Sequence, residues 1–576
     1  MHRIPAAIPP LGLVVLAACP VEQTYADLIK EHGNTYASES ASPTTAGSAN
    51  DASSSDPGVP TSTSGGTNSA GGDSSGGSTG FVDGSTGGDA SSGTTEPWVD
   101  QPPEIGELIA PDAVLAAGFV ELSVACSDDV GVAEVRFLVD DEVVAAVTEA
   151  PFAAKWLVKS QDQIGDHALA AECEDSAGQV VSTGEEISVA LPAPGSVAWS
   201  KVHAAFKGSA EAADAAAAPD GSWWVCGYAD NVGGGTAVWV AHYSPAGQEL
   251  FSKTISRGKD YTGRCSGIDV VSEDGHRAVL TGGYGKTGFW PDMWTALVDE
   301  TAVSPVLAES DDALTGYWGN DVLVNKYGQF EVAGQRVING DDYDMAHQLY
   351  MYVPGEDELT SAGGLTFGSA DGFDAASSIV ENPDGTVTLI GTRTDGLKVM
   401  AAAVRLNAQH QVVFADGWPF YAPALNGEGS GGLDGAVDEQ GNTMLTGWWR
   451  KTPNHDSQAL RLTLDPQGQM IGDLNIEQEP KNGDNAGIGI AYLSSGDIVM
   501  AASVTTQKPD NLDIWLRRGE SEGGVVFQGV YNLRDEPRRV RSNLFDQALL
   551  VGFETVVVLQ DNQLTPVRRA WLRAYH

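Results

Sequence analysis

Five cysteines are the residues of this chain whose type and spacing most clearly imply chemistry, and they divide into one and four. Cys19 ends the run Leu16-Ala17-Ala18-Cys19, behind a start with His2 and Arg3 and an apolar stretch from Leu11 to Leu16, the pattern of an export signal over residues 1–18. That stretch is too short to span a bilayer as a helix. Cys126, Cys173, Cys226 and Cys265 remain, an even set suited to an oxidising compartment. Cys126 and Cys173 fall on candidate strands well apart in sequence, as a bridge between two sheets requires. Cys226 and Cys265 fall on adjacent repeats, where a disulfide across 39 residues is worth about 3 to 4 kcal/mol by loop entropy. The absence of a Cys-x-x-Cys pair or a neighbouring histidine pattern argues against a redox or catalytic role for them.

Other chemistry-bearing patterns are sparse. The histidines form no His-Glu-x-x-His run, no Gly-x-Ser-x-Gly elbow is present, and the glycine-rich stretches do not end in Gly-Lys-Ser/Thr. No catalytic residue, resident metal or cofactor is expected. The acidic loop Asn339 to Asp344 lacks the spacing and closing Glu of an EF-hand and reads as a solvated turn. Trp290, Trp418, Trp448, Trp449 and Tyr421 lie in or beside predicted connecting loops, near Asp260, Arg264, Asp292, Arg450, His455, Asp456, Lys481, Asp484, Asp510 and Asp513. Aromatic rings beside carboxylates suit contact with a glycan or a peptide, so those five aromatics are the candidate rim contacts. A spatial pair of carboxylates for glycoside hydrolysis leaves no linear motif and stays open.

A formal net charge of −46 repels phosphate backbones, and the sequence has no basic stripe, so nucleic acid is not an expected partner.

The Leu-Ala-Ala-Cys run resembles the lipobox of bacterial lipoproteins. That resemblance implies cleavage before Cys19, acylation of Cys19, a membrane partner through the lipid, and a place on the outer membrane or cell surface facing the periplasm or the exterior. Pro20 rather than Asp after the cysteine favours the outer membrane by the same resemblance. Residues 19–100 are dominated by Gly, Ser, Thr, Ala and Asp and are predicted to form a disordered tether. As a coil, roughly 80 residues reach about 50 Å.

Residues 101–193 read as a small sandwich, with apolar runs at Val120 to Cys126, Val135 to Val139, Glu142 to Thr148, His167 to Cys173 and Ile187 to Leu191 between polar turns. The order Val135-Arg-Phe-Leu-Val-Asp-Asp, Ala150-Pro-Phe, Gly165-Asp-His-Ala-Leu and Asp175-Ser-Ala-Gly resembles bacterial immunoglobulin-like modules, which implies a spacer or adhesive unit.

Residues 194–576 repeat with a period near 55. A polar turn ending in glycine is followed about six residues later by a second small residue: Gly221 and Gly227, Gly275 and Gly282, Gly328 and Gly334, Gly385 and Gly391, Gly441 and Gly447, Gly496 and Ala502, with a worn copy from Asp546 to Gly552. A further run in each unit starts near Trp239, Trp294, Leu349, Ala402, Leu460, Trp515 and Trp571. Four short strands per unit is blade size, so the expected fold is all-β, with the sandwich followed by a seven-bladed β-propeller; six or eight blades and an open solenoid are the rivals. The last unit stops one strand short, and Ser196 to Val202 is available to complete it. The pattern resembles propellers of myxobacterial-type surface lipoproteins. Together these features predict a non-enzymatic cell-surface binding or scaffold lipoprotein whose rim takes an extracellular protein or glycan; the alternative is a propeller hydrolase or lyase acting on extracellular polysaccharide.

Overall fold

The computed structural model describes residues 99–203, 208–230, 234–256, 258–271, 275–286, 292–300, 306–309, 316–339, 342–353, 358–369, 372–396, 398–415, 417–422, 429–451, 456–477, 483–505, 511–519, 524–527, 533–560 and 563–576. The signal, Cys19 and nearly all of the tether lie outside them, as do Trp290, His455, Lys481 and Asp510. Apart from one 3-10 turn at Gln161–Gln163, the regular structure of the described residues is β.

From Glu104 to Val189 the chain forms the expected small β domain. Its main sheet orders Ala113–Val114, Val180–Val189, Gly165–Asp175, Val132–Val139 and Glu142–Val147. Gly118–Ser123 pairs with Ala153–Val158, a strand missing from the sequence reading. Alternate residues point inward: Val120, Leu122, Val135, Phe137, Trp156, Leu169, Ala171 and Ile187 share one core. Cys126 and Cys173 are disulfide-bonded.

Among the described residues, seven four-stranded antiparallel units follow. Taking the first strand of each, they begin at Ala210–Ala217, Tyr261–Val270, Tyr317–Val324, Ala375–Glu381, Gly429–Val437, Ala486–Tyr492 and Glu536–Ser542. Each first strand packs on the first strand of the next unit, and that of the seventh packs on that of the first, so the contacts close a cycle. Cys226 and Cys265 are disulfide-bonded and join units 1 and 2.

The paired small residues have a steric cause. Every first strand carries a one-residue irregularity, for example between Ala212 and Asp214, Ala376 and Ser378, and Pro537 and Arg539. The second small residue lies opposite it, where the strands approach closely: a Cβ on Gly227, Gly391 or Gly552 would sit 1.9, 1.9 or 2.0 Å from the facing carbonyl oxygen. The first glycine ends the turn in left-handed backbone, as at Gly385 with φ 80°. In unit 7 Asp546 holds that position at φ 57°, which is why the copy looked worn.

Trp239, Trp294, Trp515 and Trp571 pair directly with Gly227, Gly282, Ala502 and Gly552 and are buried, as packing residues at the repeat period should be. In unit 3 the partner of Gly334 is Ala346, three residues before the predicted Leu349, because that strand is long and runs Asp342–Val353.

The strand Val197–His203 completes unit 7 by pairing beside Gln563–Tyr575, with Trp199 opposite Ala574 and Val202 opposite Trp571. The expected donation of a strand from the front of the repeat region is therefore present. Trp199 extends across to unit 1, donating from Nε1 to the Pro245 carbonyl at 2.9 Å and lying 5.9 Å from the Tyr243 ring.

Candidate functional site

The cycle of first strands surrounds an opening of about 430 Å³. The residues immediately after the strand irregularities occupy equivalent places in the seven strands: Asp214, Gly267, Asp321, Ser378, Asp434, Gly489 and Arg539, of which Asp321 and Ser378 line the opening. Carboxylates thus recur in units 1, 3 and 5, and each clasps the next unit through its backbone. Asp214 accepts from Ile268 N at 3.3 Å, Asp321 from Ile379 N at 3.1 Å and Asp434 from Ile490 N at 3.0 Å. In unit 2 Asp269, two positions beyond Gly267, repeats the device, accepting from Val324 N at 2.7 Å.

Arg541 of unit 7 reaches into the middle. Its Nη1 lies 3.0 Å from Asp434 Oδ2, and its Nη2 lies 3.2 Å from Asp214 Oδ1. Ser378 Oγ bridges two carboxylates, donating toward Asp321 at 2.8 Å or Asp434 at 3.0 Å. Arg539 donates to the Leu433 and Ser377 carbonyls and also lies 3.5 Å from Asp434 Oδ1. Burial outweighs Arg541 at Asp214 and pushes its carboxyl up to about 7; burial likewise pushes Asp269 up to about 6.

A second charged cluster occupies the opposite ends of the first strands at the seam of units 7 and 1. Buried Glu211 meets Arg538, Arg568 at 3.2 Å and the Tyr228 hydroxyl at 3.1 Å. Arg264 lies over the Tyr228 ring at 4.6 Å, and Arg568 over Phe553 at 4.5 Å. Burial opposes the charge on Glu211, but the guanidinium groups, Arg538 foremost, outweigh it and hold the carboxyl below its ordinary range.

The aromatics singled out from the sequence are divided by the structure. Trp418 and Trp448 are each only 6% exposed and serve packing: Trp418 donates to the Pro466 carbonyl, and Trp448 lies against Gly431 under Arg450. Trp449 is half-buried. Tyr421 is half-buried beneath the Arg393 guanidinium at 4.6 Å. Among the polar residues, Arg450, Asp456 and Asp484 gather at the seam of units 5 and 6. Asp484 accepts from Ser457 N, and Asp456 from Gly483 N. Asp513 is fully buried. Asp214, Asp321, Asp434 and Arg541 were missed; their one linear trace is a polar residue recurring at the same place in alternate repeats.

Comparison with known proteins bears chiefly on the smaller domain. Residues 108–171 match the family model described as a bacterial Ig domain. No curated protein matches the chain. Among solved structures, fibronectin(III)-like modules of CbhA from Clostridium thermocellum are 27% identical over 16% of this chain and 100% of that chain, with a TM-score of 0.14. Sqt1 from Chaetomium thermophilum is 12% identical over 60% of this chain and 80% of its own, at a TM-score of 0.34. A protein of unknown function from Dyadobacter fermentans is 8% identical over 66% and 99%, at 0.36. The chain therefore contains a bacterial Ig-like domain.

Proposed function

We propose that residues 194–576 form a closed seven-bladed β-propeller, carried on a lipid-anchored surface protein, and that it acts as a non-enzymatic binding or scaffold module through protein or glycan contacts at its rim. Supporting the architecture are the seven four-stranded units, the cyclic packing of their first strands and the donated strand at Val197–His203. The anchor rests on the run ending in Cys19, and residues 1–18, 19–100 and 101–193 serve as signal, tether and Ig-like spacer.

The single observation carrying the binding reading over the enzymatic one is the commitment of the central carboxylates. A general acid or base must turn a lone pair or proton toward substrate. Asp214, Asp269, Asp321 and Asp434 each accept a backbone N–H from the following unit, so withdrawing one toward a substrate would undo a clasp between units. The second reading, a polysaccharide hydrolase or lyase, draws on Asp321 and Asp434 sharing Ser378, with Tyr492 lining the same opening.

A glycan and surface-polymer array, probed with the disulfide-bonded chain and read for both retention and product, separates the two. Retention without product is the expected result. Turnover abolished by Asp321→Asn or Asp434→Asn in a folded protein would refute the binding reading.

A further inference from the structure

Histidines that are scattered in sequence come together at the seam of units 3 and 4. Glu331 stands on the strand Phe330–Asn339 and His347 on Asp342–Val353. Glu331 is opposite Leu349 and His347 opposite Ala333, so the two occupy a diagonal on one face of the sheet. His410 comes from a turn of unit 4, where Asn407 N bonds the Gln411 carbonyl. His347 Nε2 lies 2.9 Å and His410 Nδ1 3.3 Å from the same oxygen, Glu331 Oε2. The two imidazoles stack with centroids 5.5 Å apart.

Three further observations separate this cluster from an ordinary buried hydrogen-bond pair. Asn325 Nδ2 donates to Glu331 Oε1 at 2.7 Å, which satisfies one carboxylate oxygen and leaves the other facing both imidazoles. His410 Nδ1 is shut off from solvent yet makes no hydrogen bond, despite its approach to Oε2. His410 also holds left-handed backbone at φ 57°, where the equivalent turns of units 1 and 5 carry Gly247 and Gly468. An imidazole thus stands where the turn itself favours glycine.

We propose that Glu331, His347 and His410 form a binding site for a borderline divalent cation of the zinc class, linking units 3 and 4. The three ligand atoms lie within 4.8 Å of one another, and tetrahedral zinc with bonds near 2.0–2.1 Å spaces its ligand atoms by about 3.3 Å. A cation between Oε2, Nε2 and Nδ1 satisfies the orphaned nitrogen and neutralises a carboxylate buried to 2% exposure. His410, at 25% exposure, is the most exposed of the three side chains, so its swing is the route by which an ion enters. Two imidazoles and one carboxylate suit zinc or cobalt better than calcium or magnesium, which prefer all-oxygen sets.

The test strips the purified, disulfide-bonded chain with chelator and titrates it with cobalt(II) alone, then zinc(II) alone, reading visible absorption, bound metal and melting temperature. The expected result is one equivalent of cobalt in a low-symmetry site, displaced by zinc, with a raised melting temperature. His410→Gly restores the glycine of the equivalent turns, so it should fold and still lose saturable binding. Asn325→Ala should weaken binding by about 10- to 100-fold. No saturable binding to the wild-type chain, or binding undiminished in His410→Gly, would overturn the proposal.

Discussion

Trp199→Ala tests whether the donated strand holds the repeat region shut. The strand Val197–His203 is an edge anchored on unit 1 by Trp199 and by His203, which meets Tyr243 and the Trp239 ring: Val197 and Val202 are 51% and 40% exposed, whereas Trp199 is 8% exposed. Its ring packs on unit 1, beside Tyr243 and over Gly247, while its backbone pairs with unit 7. Truncating a buried tryptophan costs about 3 to 5 kcal/mol. Water can enter at an edge, so the lower end, about 3 kcal/mol, is expected, including the indole bond to Pro245. That is roughly a hundredfold in the folding equilibrium. Urea unfolding followed by far-UV circular dichroism measures the loss, with Val202→Ala as a same-strand control expected within about 0.5 kcal/mol of wild type. Hydrogen exchange at Ala570 to Tyr575 should rise selectively in Trp199→Ala, because those residues lose their edge partner. A loss below about 1 kcal/mol together with unchanged exchange at Ala570 to Tyr575 would refute the closing role.

Gly391→Ala should cost at least about 2 kcal/mol in the same assay, because its new Cβ meets the Ala375 carbonyl oxygen at 1.9 Å. Gly496→Ala meets nothing within 4 Å and should cost only the left-handed backbone term of about 1 kcal/mol; equal losses would contradict the close-approach account. At Asp214 the folded pKa, about 7, exceeds the ordinary value of 3.8, so the native state holds a proton that the unfolded chain releases. The resulting stability is complete below the unfolded value and is lost as pH rises through about 7. Asp214→Asn should therefore gain on wild type from pH 5 to 7 by about 2 kcal/mol, against a ceiling of about 1.4 kcal/mol per pH unit, and parallel stability curves would count against this. Cys19→Ala should move the protein out of the membrane fraction or stall its processing, and normal cleavage with full membrane retention would sink the anchor.

Much of the β architecture was legible because its signals are local. A glycine that ends a turn and a second small residue opposite a strand irregularity are short-range steric requirements, so they recur in the sequence at the spacing of one hairpin. Burial was less legible. Trp418 and Trp448 read as loop aromatics, yet the next unit covers Trp418 and the first strand of its own unit covers Trp448, and a linear pattern does not record which surface a strand-end ring meets.

The sequence by itself determined the repeat period, the paired glycines, the cysteine pairs and the strand left over at the front of the repeats, because covalent spacing and backbone sterics set them within one unit. Only the tertiary structure decided the two polar assemblies. Asp214, Asp434 and Arg541 meet from units 1, 5 and 7. Glu331 and His347 meet His410 across a seam. Such contacts depend on how sheets face one another, and no residue in them constrains its distant partner through the chain that joins them.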